Sequence, residues 1–308
     1  MQTQSPMPKF SDRLLQKIEL TPGGAHFNVM IFGDSQPKSR SLVILNSVEF
    51  PAPPSLAFCE MLWARRIQTI YVNRPGFGGS RPLPDMLLST RHIEDGAASA
   101  AEAAIISRFL HHLDLSEIVL LGMGSANPIC YRLARLNPRI AKTILSNPVL
   151  NRDVWSVFKP DWFQSVIRQS VASPPGLRFA AFGVKHRMRQ DYRRFYRELL
   201  QKSDGDLQYL EDNLADFSLA RDNFLNISPA TFSHDLKMSL FADDVLKDEV
   251  FKDFPFVALS GQETTVDWKS GLRRETNRLG LPLKLVSSGD FFAPYASPRE
   301  FLQIIGAK

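Results

Sequence analysis

Residues Gly122–Ala126, "GMGSA", stand where a strand-like apolar run ends and an apolar helix begins. A tight corner of small residues between a strand and a helix pushes one side chain out of the chain path, the usual way to present a nucleophile. The attacking group available in this corner is the Ser125 hydroxyl. A hydroxyl needs a neighbouring base, yet the six histidines, His26, His92, His111, His112, His186 and His234, all precede the last two predicted strands. Carboxylates come late instead: Glu263 and Asp267 after one strand, Asp290 after the last. A carboxylate beside Phe291 and Phe292 is expected to have a raised pKa suited to taking a proton, or else to bond nearby backbone N–H groups as a turn cap. No His, Cys or Asp spacing suggests a metal, and "GMG" with "GFGG" does not make a phosphate or dinucleotide loop, so no cofactor is expected.

The elements that must hold these residues follow from hydrophobic pattern. "LLQKIEL" and "AHFNVMIFG", split by the turn-forming "TPGG", predict an opening antiparallel pair. "SLVIL", "TIYVN", "EIVLLG" and "KTILS" predict buried strands, with helices near Ser55–Arg66, Ala97–Leu113 and Asn127–Leu136 between them. From about Val149 to about Val250 the alternation stops, and aromatic-rich amphipathic helices such as "DWFQSVIRQSV", "DYRRFYRELLQ" and "LQYLEDNLADFSLARDNFL" take over. It resumes with "FPFVALSG", a helix from Trp268 to Leu279, "LPLKLVSSG" and the closing helix "SPREFLQIIG".

With 308 residues, 44% hydrophobic and 22% charged, the chain has the composition of a globular protein with a sizeable core. Cys59 and Cys130 fall in apolar helices and are expected to be buried thiols. No export signal or membrane span is recognisable, so a cytoplasmic location is expected. The net charge of +5 concentrates in Lys185–Leu199. There Met188, Tyr192, Phe195, Tyr196 and Leu199 share one helical face, while Lys185, Arg189, Arg193 and Arg197 line another. That phase describes a docked helix with a solvated outer side rather than a surface for nucleic acid or an anionic membrane, and no nucleic-acid partner is expected.

Four features in order carry a family resemblance: the order of elements, "VNRPGFGGSRP" after the fourth strand, the corner after the fifth, and "SGDFFAPYASPREF" after the last. Together they resemble the α/β-hydrolase superfamily over nearly the whole chain. The resemblance implies an α/β fold with a mainly parallel eight-stranded sheet, helices on both faces, and a helical lid inserted after the sixth strand. Residues 1–150 and 241–308 would form the core and 151–240 the lid. In that family the corner reads small-x-nucleophile-x-small, which puts Gly124 at the nucleophile position and Ser125 where a backbone N–H serves an oxyanion hole. Sliding the register to make Ser125 the nucleophile leaves Met123 and Asn127 where small residues are required. Asp290 stands where the resemblance expects histidine, Thr264 or Thr265 where it expects the acid, and Asn46 and Ser47 where it expects His-Gly.

Loss at all three catalytic positions implies a degenerate triad and a non-hydrolytic binder of a small apolar molecule or a protein partner, in a lidded cleft at the carboxyl end of the sheet. Asn46, Ser47, Gly124, Ser125, Trp155, Phe158, His234, Asp290 and Phe291 are the expected lining. Two alternatives stay open: an ester hydrolase acting through Ser125, and a non-covalent lyase or isomerase using Asp290.

Overall fold

Strands β3 (Arg40–Leu45), β4 (Gln68–Val72), β5 (Glu117–Met123) and β6 (Ile140–Ser146) are nearly continuous apolar runs, as strands covered on both faces must be. The computed structural model describes residues 14–20, 25–33, 40–84, 96–113, 115–150, 173–240, 251 and 254–306. These residues form one eight-stranded sheet that also contains β1 (Leu14–Leu20), β2 (Ala25–Phe32), β7 (Phe256–Gly261) and β8 (Leu283–Val286), in the order β1-β2-β4-β3-β5-β6-β7-β8. β1, β2 and β4 pair antiparallel, and every other neighbour is parallel.

Strand periodicity sends alternate residues to two separate cores. Leu42, Ile44, Val119 and Leu121 face one side, where they meet α1 (Leu56–Trp63) and α9 (Pro298–Ile304). Val43, Leu45, Ile118 and Leu120 face the other, where they meet α2 (Ala97–His112), α3 (Asn127–Leu136) and α8 (Val266–Leu279). Cys59 and Cys130 are buried in α1 and α3. No helix among the described residues is long and apolar enough to cross a membrane.

Between β6 and β7 the chain makes a helical insert: α4 (Pro174–Leu200), α5 (Asp204–Asp212), α6 (Leu214–Asn226) and α7 (Pro229–Leu240). "DWFQSVIRQSV" lies outside the described residues, as do Trp155, Phe158, Trp162 and Phe163. The run read as one amphipathic segment, Leu207–Leu225, is two helices, because Asn213 leaves the helical region (φ −128°, ψ 35°). Along α4 the expected apolar face is corrected at its end. Met188 and Tyr196 are buried, but Leu199 is 51% exposed and Leu200 is buried in its place. The cause is Asp191, whose non-helical backbone (φ −158°, ψ 91°) shifts the phase of the last turns. Lys185 is not simply solvated either; its ammonium donates to the Leu225 carbonyl at 2.9 Å and to that of Ile227, capping α6.

Two interactions seat the insert on the core. Phe217 of α6 is fully buried among Phe50, Tyr196 and Phe292, with ring centroids 4.7, 4.8 and 5.5 Å away. Burial of such rings is worth roughly 1.5–3 kcal/mol each, with edge-to-face geometry adding to it. At the start of α5, the Asp206 carboxylate accepts the N–H groups of Asp290, Phe291 and Phe292 at 3.1, 2.7 and 3.0 Å. Beside it Glu263 accepts from the Ser203 hydroxyl at 2.6 Å and from the N–H groups of Gly205 and Gly289 at 2.9 and 3.0 Å. The segment after β8 is thus held from the insert.

Burial pushes the Asp206 carboxyl up to about 7, against the downward pull of those three N–H groups. A carboxyl raised above its unfolded value of 3.8 is protonated more readily in the folded protein. Its contribution to stability is therefore present at low pH and lost as pH rises toward about 7. Asp206→Asn is expected to flatten this fall in urea midpoint between about pH 4 and pH 7. Parallel slopes for wild type and variant would contradict the assignment.

Candidate functional site

The turn after β5 is built around two close approaches. A Cβ on Gly122 would come within 2.6 Å of the Cys130 sulfur, so helix α3 can lie against the strand only with glycine there. Gly124 has φ +47°, a left-handed conformation that any side chain would strain. From Gly124 the chain makes one 3-10 turn to Ala126 and enters α3, with Pro128 in its first turn.

The space above Gly124 is filled from another loop. A Cβ on Gly124 would stand 2.6 Å from Oε2 of Glu49, and the same oxygen accepts the backbone N–H of Ser125 at 3.2 Å. Glu49 belongs to the loop after β3, in "NSVEF", and each neighbour there is anchored. The Asn46 side-chain oxygen accepts the Arg74 N–H at 2.6 Å, the Ser47 hydroxyl accepts the Phe50 N–H at 3.3 Å, and the Glu49 carbonyl accepts from the Tyr196 hydroxyl at 3.2 Å.

Ser125 turns its hydroxyl away from this space. Its Oγ donates to Asp235 Oδ2 at 2.7 Å and accepts the Val48 N–H at 2.8 Å, and the residue is fully buried. Asp235, on α7, pairs with the buried guanidinium of Arg74 from the loop after β4. Arg74 also lies 3.5 Å from Glu102 of α2, whose other oxygen is 3.0 Å from His234 Nε2. Burial raises the Asp235 carboxyl, and Arg74 pulls it back down.

On the open side of the turn lies a cleft of about 480 Å³. Gly124, Thr264, Thr265, Asp290 and Phe291 line it, together with Glu49. Asp290 Oδ1 accepts from the Thr264 hydroxyl at 2.8 Å and from the Asn147 amide at 2.7 Å. Burial raises the Asp290 carboxyl, and these two hydrogen bonds oppose the rise. Asn147 follows β6 and takes φ +43°, which aims its amide across to the segment after β8. Trp268, Phe291 and Leu199 supply apolar wall, and Lys202 a cation.

The expected lining is therefore corrected. Asn46, Ser47, Ser125 and His234 do not line this cleft: each is buried and committed to the hydrogen bonds and ion pairs above. Trp155 and Phe158 lie outside the described residues. Of the nearby acids, Glu263 seats the insert and Asp267 is exposed. Glu49, Asn147, Asp206 and Trp268 escaped sequence reasoning. Glu49 gave one local signal, a lone charge in the otherwise uncharged run "SLVILNSVEFPAPP". Among the described residues no cluster of three or more His, Cys, Asp or Glu side chains could hold a metal.

No family model matches the sequence, and no curated protein matches it. Solved structures match along nearly the full length. A protein of Salmonella enterica provisionally assigned as an acyltransferase is 16% identical with a TM-score of 0.67, over 98% of this chain and 96% of its own. A bromoperoxidase of Bacillus anthracis is 15% identical with a TM-score of 0.62, over 94% and 97%. A provisionally assigned epoxide hydrolase of Pseudomonas aeruginosa is 16% identical with a TM-score of 0.62, over 97% and 95%. The chain has the α/β-hydrolase fold. At these identities the likeness concerns the fold alone, and the α/β-hydrolase scaffold is known to carry unrelated chemistries.

Three substitutions test the geometry. Gly124→Ser is expected to cost about 1–2 kcal/mol from backbone strain alone, plus the displacement of Glu49. Glu49→Ala in the same chain should return the displacement part, so the double variant loses less in urea unfolding than the two singles summed. Strict additivity would place Glu49 elsewhere. Arg74→Met removes the guanidinium shared by the buried Asp235 and Glu102, an expected loss of about 3–5 kcal/mol. A loss under about 1 kcal/mol, as for an exposed pair, would contradict the buried network.

Proposed function

We propose that the cleft binds a small molecule with an apolar body, and that the chain does not work through a serine acyl-enzyme. The observation that carries this reading is Glu49: its carboxylate sits over Gly124 and takes the Ser125 N–H. A hydrolase needs that space for its nucleophile and that N–H for the developing oxyanion. Support also comes from Ser125, whose hydroxyl is buried between Asp235 and the Val48 N–H. A degenerate triad at Gly124, Thr264 and Asp290 is consistent with the 2.8 Å hydrogen bond from Thr264 to Asp290. That contact joins the places that the resemblance gives to acid and histidine, with a hydroxyl and a carboxylate now filling them. In this reading Trp268, Phe291 and Leu199 hold the apolar body, and Asp290 and Lys202 orient its polar end.

A second reading is favoured by one observation. The Asp290 carboxyl is raised by burial, is fixed by Thr264 and Asn147, and lines the cleft. It is thus poised to move a proton to or from a bound ligand without a covalent intermediate.

A fluorophosphonate probe is expected to leave the protein unlabelled. Labelling that disappears in Ser125→Ala would overturn the proposal. In a thermal-shift screen of small molecules, compounds that raise Tm should also change Trp268 fluorescence, since native-state binding raises stability. Trp268→Phe should weaken them, whereas stabilisation indifferent to Trp268 would move the binding site. Asp290→Asn separates the two readings: it should abolish turnover of any ligand found to react, and unchanged turnover would remove the proton-transfer reading.

A further inference from the structure

Helix α4 carries a feature that the cleft does not use. Its inner side, through Leu177, Ala181 and Met188, is buried, while Phe179 and Phe182 on the outer side are 77% and 64% exposed. Isolated exposed apolar residues are ordinary, but two phenylalanines one helical turn apart make a patch. The exposed face continues at helical spacing through His186 and Arg189, up to the non-helical Asp191, and Arg178 precedes Phe179. Residues 174–190 contain no acidic side chain.

Toward the other end of the helix the charges are used internally. Arg187 and Arg194 pair with Glu198, and Arg197 pairs with Glu211. Arg178 and Arg189 flank the phenylalanines on the acid-free part of the helix. An exposed helix face that carries two phenylalanines and two arginines complements an interface in which phosphate groups border an apolar layer. Single-stranded nucleic acid would instead need a basic groove with aromatic rings for bases to stack on.

We propose that this outer face of α4 docks on an anionic lipid bilayer, with Phe179 and Phe182 entering the acyl boundary and Arg178 and Arg189 meeting the phosphates. The surface is separate from the cleft, so it stands or falls without the binding reading.

The test is flotation of the full chain with vesicles of phosphatidylcholine alone or mixed in equal parts with phosphatidylglycerol. The protein should float with the mixed vesicles and stay behind with phosphatidylcholine, and added salt should release it. Phe179→Ser with Phe182→Ser should abolish flotation. Arg178→Gln with Arg189→Gln should weaken partitioning by about fivefold per arginine. Unchanged urea midpoints in both double variants would show that the losses are not unfolding. Equal behaviour on the two vesicle types, or flotation indifferent to both double variants, would overturn the proposal. So would a dimer in light scattering that Phe179→Ser with Phe182→Ser dissolves, since the patch would then be covered by a second copy.

Discussion

The guanidinium of Arg74 is fully buried, and a buried charge of that size persists only where counter-charge and hydrogen bonds surround it. The protein gathers these from three distant elements: Asp235 on the last helix of the insert, Glu102 on α2, and the Ser125 carbonyl at 3.5 Å. Its ring neighbour Phe77, with a centroid at 5.0 Å, covers part of the remaining face. One side chain thus ties the loop after β4, the turn after β5 and the return of the insert into a single polar knot beneath the cleft. The orientation of Ser125 follows from it. The Asp235 oxygen that pairs with Arg74 also accepts the Ser125 hydroxyl.

With the hydroxyl turned inward, the turn keeps its shape for other reasons. Gly124 holds the left-handed backbone at no steric cost, and Gly122 lets α3 close against β5. The N–H of Ser125 still points outward and needs an acceptor. Glu49 supplies it, and the loop that delivers Glu49 is anchored by Asn46, by Ser47 and by Tyr196 of the insert. On the opposite wall Asp206 and Glu263 fix the segment that carries Asp290. The cleft is thereby framed by carboxylates whose positions are set from both the core and the insert, rather than by a hydroxyl and an imidazole.

The sheet was legible because its strands announce themselves. "SLVIL" and "EIVLLG" can be satisfied only by burial on two faces, and "TPGG" separates two strands short enough to pair back on each other. The glycine corner was legible because strand, small residues and helix are contiguous. What escaped depends on partners far apart in sequence. Glu49 meets Ser125 across 76 positions, Asp206 meets Phe292 across 86, and Ser125 meets Asp235 across 110. Periodicity reports which face of an element is apolar, and it does not report which loop lies over which. The inward face read for Leu199 failed because a single extended residue at Asp191 resets the helical phase. Pattern reasoning assumes an unbroken period.

The central claim is that a carboxylate from the loop after β3 occupies the place above Gly124 and holds the Ser125 amide. The most direct measurement is the backbone amide resonance of Ser125 by NMR, in the wild type and in Glu49→Gln. Charge-assisted hydrogen bonding should place the Ser125 proton downfield in the wild type. In Glu49→Gln, where the acceptor carries no charge, the shift should fall back upfield. A Ser125 amide indifferent to the loss of the Glu49 charge would contradict the account.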